Sequence, residues 1–190
     1  EIYTLSLHDA LPILALGQGV ELGNAQNELV RFLEKADIPA GRTMLGLSAL
    51  PSTHPLNVGM LGMHGNYAPN MKEQECDVLI AIGMRFSDRV TGNTKTYAKQ
   101  AKIIHLDIDH SEIDKCVKTD VAVIADCKES LPALTELINP AKHTGWRESF
   151  IPLQKKEYEK VIAPAIHPKK GPLLMGEVVN AVAEATGGEA

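Results

Sequence analysis

The chain has 190 residues, a formal net charge of -5 and few aromatic residues, which make up 4% of the total. That length suits one ordinary domain with extensions and is too short for a large multidomain enzyme. No basic stretch is interleaved with aromatic residues, so the sequence excludes nucleic acid as an expected partner. No apolar run approaches the roughly 20 residues that span a bilayer, so we expect no membrane association.

The first segment, residues 1–13, reads EIYTLSLHDALPI and resembles the translation of a common short-read sequencing adapter. It lacks the basic start, the long apolar middle and the cleavage site of a signal peptide. We therefore expect an assembly artefact here, followed by a natural sequence that starts inside a strand at Leu14 without its own N-terminus. The apolar residues before Leu14 would then imitate a strand only by accident.

From Leu14 onward, short apolar runs alternate with stretches of helical periodicity. The apolar runs predict strands and the periodic stretches predict helices. In chain order we predict a strand end at 14–16, a helix at 25–35, a short apolar piece at 38–40, a loop at 44–57, strands at 77–82, 102–108 and 121–124, and a helix at 128–138. This rhythm is typical of βαβ units, and an aliphatic core favours a parallel sheet. The predicted fold over residues 14–140 is α/β, a doubly wound and mostly parallel sheet with helices on both faces.

The character of the sequence changes after residue 140, where charged residues and then prolines become frequent. Segment 141–172 predicts an interdomain linker that runs over a surface. Residues 173–186 resume an apolar helical pattern, and Gly187 and Gly188 can cap that helix. We interpret 173–190 as the first helix of a truncated C-terminal domain.

In an open parallel sheet, ligands bind at the carboxyl ends of the strands. One candidate segment there is Gly17-Gln18-Gly19, which is not a full dinucleotide fingerprint, so a plain tight turn is the alternative. Another is residues 60–65, MLGMHG, where two glycines and a deformable apolar surface could receive a flat ring. The alternative for this segment is a glycine-rich loop with core methionines.

Charged candidate residues follow two of the predicted strands. Arg85 and Arg89 suit phosphate or carboxylate, and the alternative is a surface ion pair of Asp88 with an arginine. Asp107 could accept both hydroxyls of a ribose, while Asp109 or the serine that follows could cap the next helix. Both roles can hold together, with Asp107 on the ligand and Asp109 on the cap.

The remaining residues do not indicate a catalytic site or a metal site. The histidines show neither a paired nucleophile nor metal-ligand spacing, and no Gly-Lys-Ser/Thr phosphate loop occurs. The cysteines Cys76, Cys116 and Cys127 are odd in number and far apart, which predicts free thiols in a reducing cytoplasm. The residues alone therefore predict a nucleotide-type domain without an evident catalytic acid, catalytic base or metal site.

Three segments resemble one family closely: GLSALPSTHPLNVGMLGMHG, GMRFSDRVTG and KIIHLDIDHSEIDK. They are similar to the central, Rossmann-like domain of the acetolactate synthase (acetohydroxyacid synthase) catalytic subunit, a thiamine-diphosphate-dependent transferase. The resemblance implies a parent enzyme that condenses two pyruvates, or pyruvate and 2-oxobutanoate, with loss of CO2 in isoleucine and valine biosynthesis. It also implies a cytoplasmic homo-oligomer of catalytic subunits, with a small regulatory subunit as a candidate partner.

The resemblance implies that FAD binds this central domain, where it takes no net part in the redox balance of the reaction. Thiamine diphosphate and Mg²⁺ would bind to other domains of the parent, so we expect the fragment alone to be inactive and to bind FAD weakly, if at all. The sequence departs from the family at Gln18, where a glycine is usual, and at Ser87, where an acid is usual. Another thiamine-dependent carboligase or oxidase, differing chiefly at Met63 and Arg89, is one alternative, and a stand-alone nucleotide-binding module is another.

The residues that the resemblance assigns to FAD run from its diphosphate through the flavin to the adenine. They are Gly17, Gln18, Gly19, Thr43, Met44, Leu45, Leu61, Gly62, Met63, His64, Gly83, Met84, Arg85, Arg89, Asp107, Ile108, Glu112, Asp126 and Cys127. Met63 and Arg89 are also assigned to the substrate channel, where Arg89 would meet the carboxylate of the second 2-oxo acid. No catalytic residue and no metal ligand is expected within the chain.

Overall fold

The computed structural model describes residues 10–188. Residues 1–9 and 189–190 lie outside the described residues, and so does most of the segment that resembles an adapter. The chain forms two compact units, the first ending at Phe150 and the second beginning at Ile151.

The first unit is built on a six-stranded sheet with the order β3-β2-β1-β4-β5-β6, and every neighbouring pair is parallel. The strands are β1 (Pro12–Leu16), β2 (Ala40–Arg42), β3 (Asn57–Met60), β4 (Val78–Ile82), β5 (Lys102–Asp107) and β6 (Val121–Ile124). The order reverses direction between β1 and β4, which is the topology of a doubly wound fold. The predicted α/β class and its parallel sheet are therefore confirmed.

β1 begins two residues before the predicted strand end at Leu14. Pro12 pairs with Val78 and Ile13 with Leu79, and Ile13 is fully buried. Proline fits the first position of a strand because it removes a donor that the ladder does not need there. The adapter origin of these residues stays a prediction, but their apolar side chains suit the strand whatever their source.

The main core lies between the sheet and two helices, α2 (Gln26–Ala36) and α5 (Cys127–Leu137). Leu29 and Leu33 of α2 and Leu131 of α5 are fully buried in one hydrophobic cluster with the strands. Burying one such side chain stabilises a fold by about 1.5–3 kcal/mol. These helices follow the predicted apolar spacing, because each must cover the same aliphatic sheet.

Several short elements of the first unit escape the sequence pattern. Met44–Ala49, inside the predicted loop, forms a 3₁₀ turn, and β3 follows that loop. β3 reads NVGM, which is too short and too mixed to show an apolar run, and its Gly59 has a φ of 112°. The remaining helices of the unit are α1 (Gly19–Leu22), α3 (Tyr67–Glu73), α4 (Asp88–Thr91) and α6 (Thr144–Glu148).

Residues 141–150, predicted as the start of a linker, pack within the first unit. Arg147 Nη1 lies 2.7 Å from Asp37 Oδ1, and the His143 amide donates to Asp37 Oδ2 at 2.7 Å. Trp146, which is buried, donates from Nε1 to the carbonyl of Pro12 at 2.8 Å. These contacts attach α6 to the start of β1 and to the turn before β2.

The second unit is helical. It contains α7 (Ile151–Glu157), a π-helical turn (Tyr158–Ile162), α8 (Ala163–Ile166) and α9 (Met175–Ala185). α8 and α9 approach closely, since a Cβ on Gly176 would lie 2.6 Å from the carbonyl of Ala165. α9 leaves Val178, Val179 and Val182 exposed. Among the helices of residues 10–188, none is long and apolar enough to cross a membrane.

Candidate functional site

A cavity of about 770 Å³ opens at the edge of the sheet where the strands end, within the usual range of about 300–1,000 Å³ for ligand sites. Its walls come from the segments that directly follow β1, β2, β4, β5 and β6. We call this edge the carboxyl edge. It lies at the point where the strand order reverses, the place where open α/β sheets bind their ligands.

The floor of the cavity is a junction of glycines between the ends of β1 and β4. A Cβ on Gly17 would lie 2.1 Å from the carbonyl oxygen of Gly83, and one on Gly19 would lie 2.6 Å from Gly83 Cα. Gly83 has a φ of 56°, which glycine adopts without strain. The amides of Gly17 and Gly19 donate to Ile82 and Gly83 carbonyls at 2.9 Å, so these glycines serve close backbone approach rather than offering free donors.

Two guanidinium groups stand at one side of the cavity. Arg85 and Arg89 both line it and both are exposed. Across the described residues, neither arginine forms an ion pair with Asp88 or with any other acid. The alternative of a surface ion pair is therefore not present, and both positive charges are open to an anionic ligand.

Of the acidic side chains that line the cavity, Asp109 and Asp126 cap helical turns, whereas Asp107 does not. Hydrogen bonds from the side chain and then the amide of Ser111 lower the pKa of Asp109. Asp109 Oδ1 accepts that amide at 2.8 Å and caps the 3₁₀ turn His110–Glu112. Asp126 Oδ1 accepts the amide of Lys128 at 2.7 Å and caps α5. Asp107 is buried, its Oδ1 accepts the amide of Asp109 at 2.9 Å, and its Oδ2 lies 3.7 Å from His105 Nε2. Asp107 thus keeps one oxygen for a ligand.

Another part of the cavity lining is apolar. Thr43, Met44 and Leu45 line the cavity, and the side chains of Met44 and Leu45 are more than half exposed. The amide of Thr43 donates to the carbonyl of Leu16 at 2.8 Å, which fixes the wall to the end of β1. Exposed apolar side chains beside a cavity are surface that a flat, apolar group can cover.

Four predicted FAD positions do not line the cavity: Leu61, Gly62, Met63 and His64. Leu61 is buried in the core against Gly41, and the side chain of Asn70 binds both the amide and the carbonyl of Gly62. The Met63 side chain is 62% exposed, so it is not a core methionine. Its amide donates to the carbonyl of Arg89 at 2.9 Å, which connects this loop to a residue that does line the cavity.

The other predicted FAD positions line the cavity together. The cavity also contains residues that we did not assign to FAD: Leu22, Gly23, Ser87, Asp88, Val90 and Asp109. The sequence could have indicated Gly23, because it follows the Gly17-Gln18-Gly19 motif. In the structure a Cβ on Gly23 would lie 3.0 Å from Asp126 Oδ1. Leu22 and Val90 carry no such signal, since only the tertiary fold brings them to the cavity.

The cavity offers binding chemistry rather than acid–base chemistry. Cys127 lines it, but burial raises the pKa of its thiol to about 11, so the thiol stays protonated near neutral pH. The carboxyl of Glu73, whose pKa burial raises to about 7, lies outside the cavity lining. Within the described part of the chain, no group of three or more His, Cys, Asp or Glu side chains could hold a metal ion.

Comparison with known proteins gives a consistent result. The chain is 46% identical over 148 residues to the probable acetolactate synthase large subunit of Methanocaldococcus jannaschii, covering 76% of this chain and 25% of that protein. It is 45% identical over 128 residues to the acetolactate synthase isozyme 2 large subunit of Escherichia coli, covering 67% and 23%. It is 39% identical over 173 residues to the isozyme 1 large subunit of the same organism, covering 90% and 29%. The chain thus spans about a quarter of the length of these relatives.

One family model matches residues 7–134, which include all six strands and every residue that lines the cavity. That model is described as the central domain of thiamine pyrophosphate enzymes. The parallel six-stranded fold agrees with it. The chain belongs to the thiamine pyrophosphate enzyme family, and its residues 7–134 match the family's central domain.

Proposed function

We propose that this chain is part of an acetolactate synthase large subunit and supplies its FAD-binding domain. The observation that carries the proposal is the cavity at the carboxyl edge. It gathers most of the positions that the family resemblance assigns to FAD, from Gly17 to Cys127. The names of the relatives support the acetolactate synthase part of the proposal.

The residues of the cavity suit FAD in four respects. The glycine junction leaves no side chain on the floor, where a dinucleotide would approach the backbone. Asp107 offers a buried carboxylate oxygen to ribose hydroxyls. Arg85 and Arg89, which have no ion-pair partner among residues 10–188, offer guanidinium groups to a diphosphate, and the apolar surface of Met44 and Leu45 suits a flavin ring. Bound FAD would supply that ring as a structural element of the site.

For the parent protein we propose condensation of two pyruvates, or of pyruvate and 2-oxobutanoate, with loss of CO2. Thiamine diphosphate and Mg²⁺ would bind outside the matched segment, because the cavity offers neither a metal-ligand cluster nor an acid–base pair. The relatives are named as large subunits, which supports an oligomeric assembly with a small subunit. The three cysteines are free, in keeping with a cytoplasmic location.

The test is a titration of the full 190-residue chain with FAD, and separately with NAD, followed by flavin fluorescence anisotropy and equilibrium dialysis. We expect weak FAD binding, because neighbouring domains of the parent would complete the site. Asp107→Asn should weaken FAD binding by about tenfold, the effect of one charge-assisted hydrogen bond. Asp120→Asn is the matched control, since Asp120 lies beside the start of β5 and does not line the cavity.

Two outcomes would contradict the proposal. The first is tight NAD binding without any affinity for FAD, which would indicate an NAD-binding module. The second is equal loss of FAD binding in the Asp107 and Asp120 variants, which would mean that FAD does not use the carboxyl edge.

A further inference from the structure

Arg42 is a buried cation without a counter-ion in the described structure. It ends β2 and is only 8% exposed, yet no carboxylate lies within ion-pair distance in residues 10–188. Burial lowers the pKa of its guanidinium, and its Nε has no hydrogen-bond partner. Burying a charge in this way costs free energy, so its remaining contacts must offset that cost.

Those contacts all go to the segment that follows Arg42. Nη1 donates to the carbonyl of Leu47 at 2.8 Å, to the carbonyl of Leu50 at 2.8 Å and to Ser52 Oγ at 3.4 Å. Leu47 lies within the 3₁₀ turn Met44–Ala49, and Leu50 ends it. The guanidinium thus holds the second half of a turn whose first half lines the cavity.

The two halves of the turn are held differently: Ala49 and Leu50, at its end, are fully buried in the hydrophobic cluster, whereas its first half depends on hydrogen bonds. Its first half is held by the Thr43 amide on Leu16 and by the Gly46 amide on Thr43, at 2.8 and 2.9 Å. The side chains of Met44 and Leu45 are mostly exposed, so packing does not fix them. Hydrogen bonds from a charged donor are about twice as strong as neutral ones, so the guanidinium of Arg42 makes the strongest hydrogen bonds to the turn.

The main chain of Arg42 also contacts the loop that follows β3. Its backbone carbonyl accepts the amide of Leu61 at 2.8 Å, one residue before Gly62. Two residues further along the chain, the Met63 amide binds the carbonyl of Arg89, which lines the cavity. Arg42 therefore stands where two loops of the carboxyl edge leave the sheet.

We propose that Arg42 is a positioning residue for the flavin-facing wall: its buried guanidinium fixes the turn Met44–Ala49 so that Met44 and Leu45 present a pre-formed surface to the ring. This inference rests on the proposed FAD function. A pre-formed wall matters because ordering a mobile segment at the moment of binding reduces affinity. The adenosine and diphosphate parts of the ligand would meet other walls of the cavity and would not depend on Arg42.

The experiment compares Arg42→Met with Arg42→Lys and with the unaltered full chain. Lys35→Met is the matched control, because Lys35 also donates to a main-chain carbonyl, that of Thr135, but lies outside the cavity. We expect Arg42→Met to weaken FAD binding by about tenfold, the cost of losing charge-assisted hydrogen bonds. Binding of ADP, which lacks the flavin, should stay within about twofold, as for independent sites.

Hydrogen exchange supplies a readout that does not need a ligand. Amides of residues 43–50 should exchange about tenfold faster in Arg42→Met, while amides of β4 keep their rates, because only the turn loses its anchor. Arg42→Lys keeps the charge and should restore part of the FAD-to-ADP affinity ratio. If Arg42→Met does not fold, as judged by circular dichroism, the same ratio is taken from Arg42→Lys, where we expect a fall of about threefold.

The outcomes separate this inference from the function on which it rests. No FAD binding by the unaltered chain would contradict the proposed function and, with it, the inference. FAD binding that is unchanged by the Arg42 substitutions would overturn the inference alone. Equal weakening of FAD and ADP would also overturn it, since this would show a general loss of structure rather than a displaced wall.

Discussion

The two edges of the sheet in the first unit are built in different ways. At the carboxyl edge, glycines leave a cavity, and the guanidinium groups of Arg85 and Arg89 have no ion-pair partner within the described range. At the opposite edge, where the strands begin, polar groups are buried and paired: Asp37 with Arg147, and Glu73 with Tyr97. We call this the amino edge. The comparison indicates that the carboxyl edge is shaped for a ligand and the amino edge for stability.

If this division is right, changes at the amino edge should alter the free energy of unfolding and leave FAD affinity unchanged. Changes at the carboxyl edge, such as those at Asp107 and Arg42, should lower FAD affinity. Additivity between sites that are far apart and share no partners makes the two effects separable.

The largest expected effect at the amino edge comes from Glu73. Burial raises the pKa of its carboxyl to about 7 from 4.5, and the hydroxyl of Tyr97 donates to it. A raised pKa means that the folded state binds more protons between these values, so this component of stability is present at low pH and is lost as pH rises from 4.5 through 7. Its size is at most about 3 kcal/mol.

The measurement is the free energy of unfolding by urea at pH 5 and at pH 8, for the unaltered chain and for Glu73→Gln. The advantage of the unaltered chain over Glu73→Gln should shrink as pH rises. Glu75→Gln serves as control, because Glu75 is half exposed and pairs with Lys72. A difference between the unaltered chain and Glu73→Gln that does not depend on pH would contradict the assignment.

A somewhat smaller effect is expected when the contact between α6 and the sheet is broken. Arg147→Met leaves the carboxylate of Asp37, which is 5% exposed, without its cation. We expect a loss of about 2 kcal/mol, less than for a fully buried pair because Arg147 is partly exposed.

Arg31→Met is the matched control for this change, since Arg31 is an exposed arginine of α2. Both variants should bind FAD as the unaltered chain does. A Tm unchanged by Arg147→Met would mean that residues 141–150 do not stabilise the first unit, while a loss of FAD affinity would break the division between the two edges.

Much of this architecture could be predicted from the sequence, because its signals are local. Aliphatic runs fixed the positions of β4, β5 and β6, and Gly83 marked the end of β4 at the cavity. β3 and the turn Met44–Ala49 have no aliphatic run to mark them. The positive φ of Gly59 and the hydrogen bonds of Arg42 to the turn are visible only in the folded structure. Residues 141–150 were predicted as the start of a linker because the segment after residue 140 is charged, and the burial of Trp146 is visible only in the structure.

The candidate site was predictable where it follows strand ends and less so elsewhere. Asp107 and the glycine junction were recognised from their position after strands, and both line the cavity. The assignment of Leu61 to the flavin rests on family resemblance and stays a prediction; in the structure its side chain packs on Gly41. A motif identifies a segment, whereas the direction of each side chain depends on how the loop leaves the sheet.

The most direct test of the account is a map of amide chemical shifts for the full chain, labelled with ¹⁵N and titrated with FAD. If the cavity binds FAD, the shifts should saturate with FAD and should cluster at the carboxyl edge, at Gly23, Gly83 and Ile108. Amides of the amino edge, such as that of Asp37, should stay in place. Saturable shifts confined to the amino edge or to the second unit, or no shifts at any FAD concentration, would contradict the claim that this cavity binds FAD.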